Sequence, residues 1–258
     1  MFAWCREQIK EFGPVDGSLV ICRVAWSRAK VGLANKFLSQ VVTCPCCGWR
    51  GRRFYDYIEV GYSFPNAYCP QCGSQPRHRS LYLWLQDEFF IGEKEGTALV
   101  FAPEAALNHV WDSATNIRVI KVDMLPDRGV ELLTSLENLA VYSNSIDLVW
   151  CHHVLEHIER DRLAIGELHR VLRAETGKAI ISVPMHAGEV TEEYGFADNR
   201  QSGHWRLYGQ DFVNRLREGG FSVQTIDRTI SPALRREYGI APERFYVCRK
   251  IEDRVSTV

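Results

Sequence analysis

The sequence predicts a doubly wound α/β domain behind a small metal-binding module, on three observations. From residue 97 onward short β-branched runs alternate with helical patterns, the mark of a parallel sheet covered on both faces. Five of the nine cysteines crowd into Cys44–Cys72 in paired spacing. The near-neutral net charge of −1 divides unevenly: residues 1–90 carry 11 Lys/Arg against 7 Asp/Glu, residues 91–258 carry 20 against 25. A basic front and an acidic back favour two modules, although neither half is basic enough to imply nucleic-acid binding from charge alone. A chain 46% apolar and 24% charged is not collagen-like, low-complexity or wholly disordered.

No apolar stretch approaches the roughly 18–20 residues of a membrane span. The start MFAWCREQIKEFG holds charges where a signal peptide needs an apolar core. The expectation is a cytoplasmic protein, in which clustered cysteines bind metal rather than form disulfides.

Residues 1–41 read as a helical segment, two helices parted by the turn signal GPVDG at 13–17. The second mixes apolar residues with Arg23, Arg28, Lys30 and Lys36. The plainer reading is a helix packed on its own protein; the alternative is peripheral contact with an anionic membrane surface. Residues 42–90 hold the cysteine module and a connecting helix, LYLWLQDEFF at 81–90, and IGEKEGT at 91–97 is a linker. From 97 to 258 the candidate strands are Ala98–Ala102, Ile117–Val122, Ile146–Cys151, Ala179–Val183, Phe221–Ile226 and Phe245–Arg249, with helices over 104–113, 152–173 and 209–218. The long helix has a core-facing stripe of Leu155, Ile158, Ile165, Leu168 and Leu172, and Gly219-Gly220 stops the last helix.

Cys44-Pro-Cys-Cys47-Gly and Cys69-Pro-Gln-Cys72-Gly are two CxxC knuckles, each followed by glycine. Thiolates at i and i+3 of a tight turn converge on one ion, and zinc takes four tetrahedral ligands. Cys44, Cys47, Cys69 and Cys72 form a closed, structural zinc set, with Cys46 able to replace Cys47. Two knuckles flanking a hairpin at Arg53–Val60 resemble a zinc ribbon. Around them Arg50, Arg52, Arg53, Arg77, His78 and Arg79 interleave with Trp49, Phe54, Tyr55 and Tyr57. Such a patch can grip RNA or a phosphorylated substrate, or supply the solvated and packed faces of a small ribbon, which is favoured over nucleic acid.

In the larger domain, strand 98–102 runs into Pro103-Glu104 and a helix, and about 20 residues later a second strand ends at Asp123. An acid there can accept hydrogen bonds from ribose hydroxyls. FAPEAAL contains no glycine, so a pyrophosphate has no cradle, which disfavours NAD and FAD.

The run DLVWCHHVLEHIERDRLAIGELHRVLRAETGKAIISVP resembles the class I S-adenosylmethionine (SAM) methyltransferases, in the group that includes the ubiquinone-biosynthesis O-methyltransferases. The resemblance covers about 97–226 and is specific over 146–184; the CPxCG…CPxCG…RHR front and HWRLYGQDF are similar to a subgroup with an N-terminal zinc ribbon. It implies a Rossmann-like domain that binds SAM. Ala102, Pro103 and Glu104 stand where the family has its glycine-rich loop, and Asp123 stands at the ribose-binding acid. Cys151 and His152 stand where the methionine part is contacted. Two positions depart: Val100 replaces the acid usual in the first strand, and Ser135 stands near the acid that faces the adenine.

His153, Glu156 and His157 at i, i+3 and i+4 share one helical face. Histidine suits a general base for a hydroxyl acceptor, and the trio could instead ligate a divalent metal, as the resembled O-methyltransferases do with an acid in place of His153. The loop from Met185 to Phe212 is long enough for a lid, with His186, Arg200, His204, Arg206 and Tyr208 as polar candidates. His153, His157, His204 and Arg206 are thus the candidate catalytic residues. The expected function is SAM-dependent methylation of a hydroxyl on a small molecule or glycan. The alternatives are an RNA-modifying methyltransferase gripping its substrate with the ribbon, and a non-catalytic interaction module of the same fold.

Overall fold

The computed structural model describes residues 2–59, 62–126, 129–198 and 201–251. The chain forms two compact units, Met1–Phe89 with Thr229–Glu243, and Phe90–Arg228 with Arg244–Val258. The expected domain over 97–258 therefore loses 229–243 to the first unit, where this segment supplies backbone acceptors to a buried arginine described below. Nothing in the local sequence marks that exchange.

In the first unit, helix α1 (Phe2–Phe37) bends at Gly13, whose φ of 80 and ψ of 170 are not helical. The two expected helices are the arms of this bend. The arms come so close that a Cβ on Gly17 would lie 2.6 Å from the Gln8 carbonyl oxygen, a contact only glycine permits. Beyond the bend α1 buries Val20 and Val31. Its Ser27 hydroxyl donates to Asp56 (2.8 Å), and the Asn35 side-chain oxygen accepts the amides of Arg52 (2.8 Å) and Arg53 (3.0 Å). Strands β1 (Val42–Thr43) and β2 (Arg50–Gly51) pair antiparallel, as do β3 (Tyr55–Glu59) and β4 (Tyr62–Tyr68). The expected hairpin is thus present, with Val60 outside the described residues. Helix α2 (Pro76–Asp87) opens on proline and buries Leu81, Trp84 and Leu85, so the connecting helix starts earlier than expected and takes in Arg77, His78 and Arg79.

The second unit holds β5 (Gly96–Phe101), α3 (Asn108–Ser113), β6 (Ile117–Asp123), β7 (Leu132–Leu133), β8 (Leu148–His152), α4 (Asp161–Val171), β9 (Lys178–Ser182), β10 (Glu192–Asp198), β11 (His204–Leu207), α5 (Phe212–Glu218), β12 (Phe221–Arg228) and most of β13 (Glu243–Lys250). Helix α6 (Pro232–Tyr238) belongs to the first unit. Seven strands form one sheet in the order β12-β13-β9-β8-β5-β6-β7. The ladders from β7 to β9 are parallel, and β13 enters antiparallel with Val247 opposite Ile180. All six expected strands are in this Rossmann-like sheet. All five residues of β8 are buried, as a strand covered on both faces requires. The strand order reverses between β5 and β8, and ligands bind outside the carboxyl ends of strands at such a switch point.

Two expectations change. The helix expected over 152–173 breaks: His153 sits at φ 51, Leu155–His157 form one 3₁₀ turn, and α4 starts at Asp161. The carbonyls of Ile158 and Glu159 bond to Arg206, and the Leu155 carbonyl, which accepts the Ile158 amide within the 3₁₀ turn, also takes an Arg206 N–H. The expected long loop contains an antiparallel pair, β10 with β11, in which Glu193 opposes Arg206 and Asp198 opposes His204; Arg200 lies outside the described residues.

Ala164, Ile165, Leu168 and Val171 of α4 are fully buried against the sheet. Leu168→Ala should lower unfolding free energy by about 2–5 kcal/mol, whereas the half-exposed Leu163→Ala should stay within about 1 kcal/mol. Denaturant titration of both variants tests this, and equal losses would place α4 elsewhere than in the core.

Candidate functional site

At the carboxyl ends of β5 and β6 lies a cavity of about 330 Å³. Its lining includes Ala102, Asp123, Thr134, His153 and His157, with apolar walls from Phe101, Val122 and Leu136. That volume falls in the roughly 300–1,000 Å³ range of small-molecule sites. The turn after β5 takes the conformation a glycine would take: Ala102 has φ 44 while its amide donates to the Val122 carbonyl at 2.8 Å. Asp123 ends β6, and its Oδ1 accepts the amides of Met124 (2.7 Å) and Leu125 (3.1 Å), which orients the carboxylate at the cavity wall. An apolar slot, a left-handed turn and a fixed carboxylate suit a nucleoside without a pyrophosphate, and so fit SAM.

His153 closes the other side. Its amide donates to the Ser182 carbonyl (3.0 Å), and its Nδ1 lies 3.5 Å from Oε1 of the fully buried Glu156. His157 stands edge-on to His204, with ring centroids 4.7 Å apart. Burial, and then the neighbouring His157, lower the His204 pKa from its ordinary value of 6.5. One ligand atom each from Glu156, His157 and His204 lies within 4.8 Å of the other two, a set that can hold a divalent cation. His204 thus completes the cluster that the sequence assigned to His153.

Several expected contacts lie elsewhere. Cys151 is wholly inside the core, where burial pushes its thiol pKa well up. His152 is buried between Trp150, its ring parallel to within 5°, and Glu104, whose Oε2 is 3.5 Å from Nδ1. Pro103 is buried and does not line the cavity. Near the expected adenine position Thr134 lines the cavity, while Ser135 Oγ accepts the Glu137 amide at 3.2 Å. Arg206 does not line the cavity; its buried guanidinium faces the carbonyls of Leu155, Ile158 and Glu159. Its Nε donates to Glu193 (2.9 Å), and Arg215 bridges Glu193 (2.6 Å) and Asp161 (2.9 Å). Tyr208 joins the same cluster through its hydroxyl on Asp161 (2.9 Å). The residues missed in the sequence, Asp161 and Glu193 above all, gave no signal there because only the β10–β11 pairing brings them together.

Burial alone would raise the Glu193 pKa, but bonds from Arg215 and Arg206 outweigh it and hold the carboxyl below its ordinary 4.5. An acid depressed in the folded state stabilises the fold above its unfolded pKa, and that contribution is lost as pH falls through the folded value. Glu193→Gln should therefore flatten the fall of melting temperature on acidification below pH ~4.5; an unchanged slope would show the cluster electrostatically inert.

In the first unit the four knuckle sulfurs converge: Cys44 to Cys72 is 3.7 Å and Cys47 to Cys69 is 3.6 Å. A tetrahedral ion with metal–sulfur bonds of about 2.3 Å needs sulfurs about 3.8 Å apart. The two knuckles repeat one backbone design. Gly48 (φ 72) donates to the Cys44 carbonyl, and Gly73 (φ 71) donates to the Cys69 carbonyl. The Cys46 thiol lies beside Cys44 and 3.8 Å from the His78 carbonyl, and the four sulfurs that come together within metal-binding reach are those of Cys44, Cys47, Cys69 and Cys72. Cys46 and Cys69 are pushed up mainly by Cys44, whose own pKa is lowered by the thiols around it. Thiols bind a metal as thiolates, so a cation held here would displace their protons.

The basic and aromatic residues here are mostly engaged inside. Arg79, fully buried, donates to carbonyls of Ala67 (3.0 Å), Tyr238 (2.8 Å), Gly239 (2.7 Å) and Ser74, and lies 4.0 Å over the Phe54 ring. Arg53 pairs with Asp56 (2.7 Å), and His78 is buried. This leaves Arg50 and Arg52 as the fully exposed cations of the expected patch, with Arg53 and Arg77 half-buried. Purified protein should hold about one zinc per chain, lost in Cys69→Ser and kept in Cys46→Ser. Metal analysis decides it, and a full equivalent surviving in a Cys69→Ser, Cys72→Ser double variant would refute the ligand set.

A family model described as a methyltransferase domain matches residues 105–181. No curated protein matches the chain in sequence. Among solved structures, the [4+2]-cyclase SpnF is 16% identical over 67% of this chain and 81% of its own, with a TM-score of 0.49. A Pyrococcus horikoshii protein is 16% identical over 67% and 91%, with a TM-score of 0.47. The YcgJ protein of Bacillus subtilis is 15% identical over 68% and 100%, with a TM-score of 0.47. The match begins after the Ala102 turn, runs through Asp123 and the broken helix, and ends in β9, so it takes in the cavity residues from Val122 to Ile158 but not Phe101 and Ala102. Residues 105–181 of the α/β unit are thus similar in sequence to a methyltransferase domain, on a Rossmann-like sheet.

Proposed function

We propose that this domain methylates a hydroxyl group of a small molecule or glycan, with SAM as donor. The observation that carries the reading is one cavity lined by the Asp123 carboxylate and by the imidazoles of His153 and His157. When bound, SAM supplies a methyl group made electrophilic by its sulfonium. Asp123, fixed by two backbone amides, accepts bonds from ribose hydroxyls, and the Ala102 turn lets backbone approach the ligand. His153 is the base. With Nδ1 facing the buried Glu156 carboxylate, the tautomer protonated on Nδ1 is favoured and Nε2 is left to take the acceptor's proton. His157 and His204 orient the acceptor, and Arg206 acts only by holding the 155–159 turn that carries His157.

Two variants separate these roles. Asp123→Ala should weaken SAM binding, read by calorimetry, at least ~10-fold, since a charged hydrogen bond contributes about 1.5–3 kcal/mol. His153→Ala should leave that affinity within a few-fold and lower turnover by about 10²–10⁴. Chelators should not abolish turnover; if they do, and Glu156→Ala matches His153→Ala, the cluster works through a metal. Unchanged turnover in His153→Ala would remove the base from this helix break altogether.

A further inference from the structure

Helix α1 presents two distinct faces, and the second, an apolar one, is uncovered. Residues Val20, Ser27, Val31 and Asn35 recur at helical spacing on the face that packs within the first unit. Val15, Leu19, Trp26, Leu33 and Phe37 recur at spacings of four and seven on the other face, each more than half exposed. At about 100° per residue these five fall within a narrow stripe about 135° around the helix from the packed face and about 33 Å long. Contiguous apolar surface of that length marks an interaction site rather than scattered exposed side chains.

Charge identifies the partner. Asp16 is the only acid in residues 14–37, and the next acid after it is Asp56. The same segment holds Arg23, Arg28, Lys30 and Lys36. On the helix, Arg23 and Lys30 border one edge of the stripe and Lys36 the other, so cations flank the apolar face on both sides. No helix among the described residues is long and apolar enough to cross a membrane. A second copy of the chain would set these cations against their own counterparts in either orientation, which repels. An apolar stripe with aromatic residues and a cationic border is instead the design of a helix lying in a lipid headgroup layer, with its apolar face dipping toward the acyl boundary.

We infer that α1 beyond the Gly13 bend docks this stripe onto an anionic phospholipid surface, holding the protein peripherally on a membrane. This contact involves none of the cavity residues, and so stands apart from the methyl-transfer reading. The test uses the full chain and vesicles made of equal parts phosphatidylcholine and phosphatidylglycerol, with pure phosphatidylcholine as control. The protein should float with the mixed vesicles and not with the control, and raising salt should weaken binding. Trp26→Glu with Leu33→Glu should cut the vesicle-bound fraction about tenfold or more. Both positions are exposed, and unchanged zinc content and melting temperature would confirm that the variant is folded. Equal binding of the double variant, or no binding of the wild type to mixed vesicles, would overturn the inference. So would a concentration-dependent dimer that the same substitutions abolish, which would give the stripe to a second copy.

Discussion

A guanidinium taken out of water must place its N–H donors on acceptors, and Arg206 places Nε on Glu193 and its two terminal nitrogens on the backbone of the turn after β8. In a continuous helix the carbonyls of Ile158 and Glu159 would bond to amides one turn on. By taking them, Arg206 turns a stretch of helical periodicity into a short 3₁₀ turn followed by a separate helix. The consequence reaches the cavity: Glu156 is sealed in beneath it, and His157 is brought to its rim beside His204. Lysine could not serve, having one point of charge and no planar fork to span three carbonyls. The pairing of β10 with β11 thus makes the site, although few of its residues face the cavity.

The first unit uses the same device. Arg79 gathers carbonyls of Ala67, Ser74, Tyr238 and Gly239, and thereby fastens a segment some 160 positions distant in sequence. It also lies within the field of the knuckle thiols, which counter the lowering of its pKa by burial. A tetrathiolate ion site carries net negative charge, and a buried cation beside it offsets that charge. One arginine therefore answers two problems of a module with little core: orphaned backbone acceptors and an uncompensated anion.

Residues whose partners lie nearby in sequence announced themselves. The knuckles carry their own glycines, and six of the seven strands of the sheet are apolar runs long enough to read singly, the two-residue β7 being the exception. Asp123 was legible because an acid at the end of a second strand has few structural uses. What stayed hidden depends on distant pairing. The apolar residues Leu155 and Ile158 fit the α4 stripe in spacing and are indeed buried, yet they are not helical, because periodicity reports burial and not which carbonyls are taken. Arg206 looked catalytic for the same reason: a long cation in a polar segment is ambiguous until its acceptors are known. Cys151 and His152 follow the strand that leads to the cavity, but alternation turns one into the core and the other toward Glu104.

Both walls of the cavity carry an L-residue in the left-handed region, Ala102 on one side and His153 on the other. Such a conformation costs on the order of 1–2 kcal/mol at a residue other than glycine, and it persists only where neighbours over-determine it. Here they do: the Ala102 amide is held by Val122, and the His153 amide by Ser182, each a bond to the adjoining parallel strand. At Ala102 the turn thus reaches a glycine-like path without glycine's freedom, so the backbone is already set before a ligand arrives. At His153 the same geometry turns an imidazole out of the strand and toward the cavity rather than along the helix expected there. The missing glycine loop therefore does not argue for a degenerate site: sheet hydrogen bonds at two strand ends supply the conformation that glycine would otherwise allow, with less entropy to lose on binding.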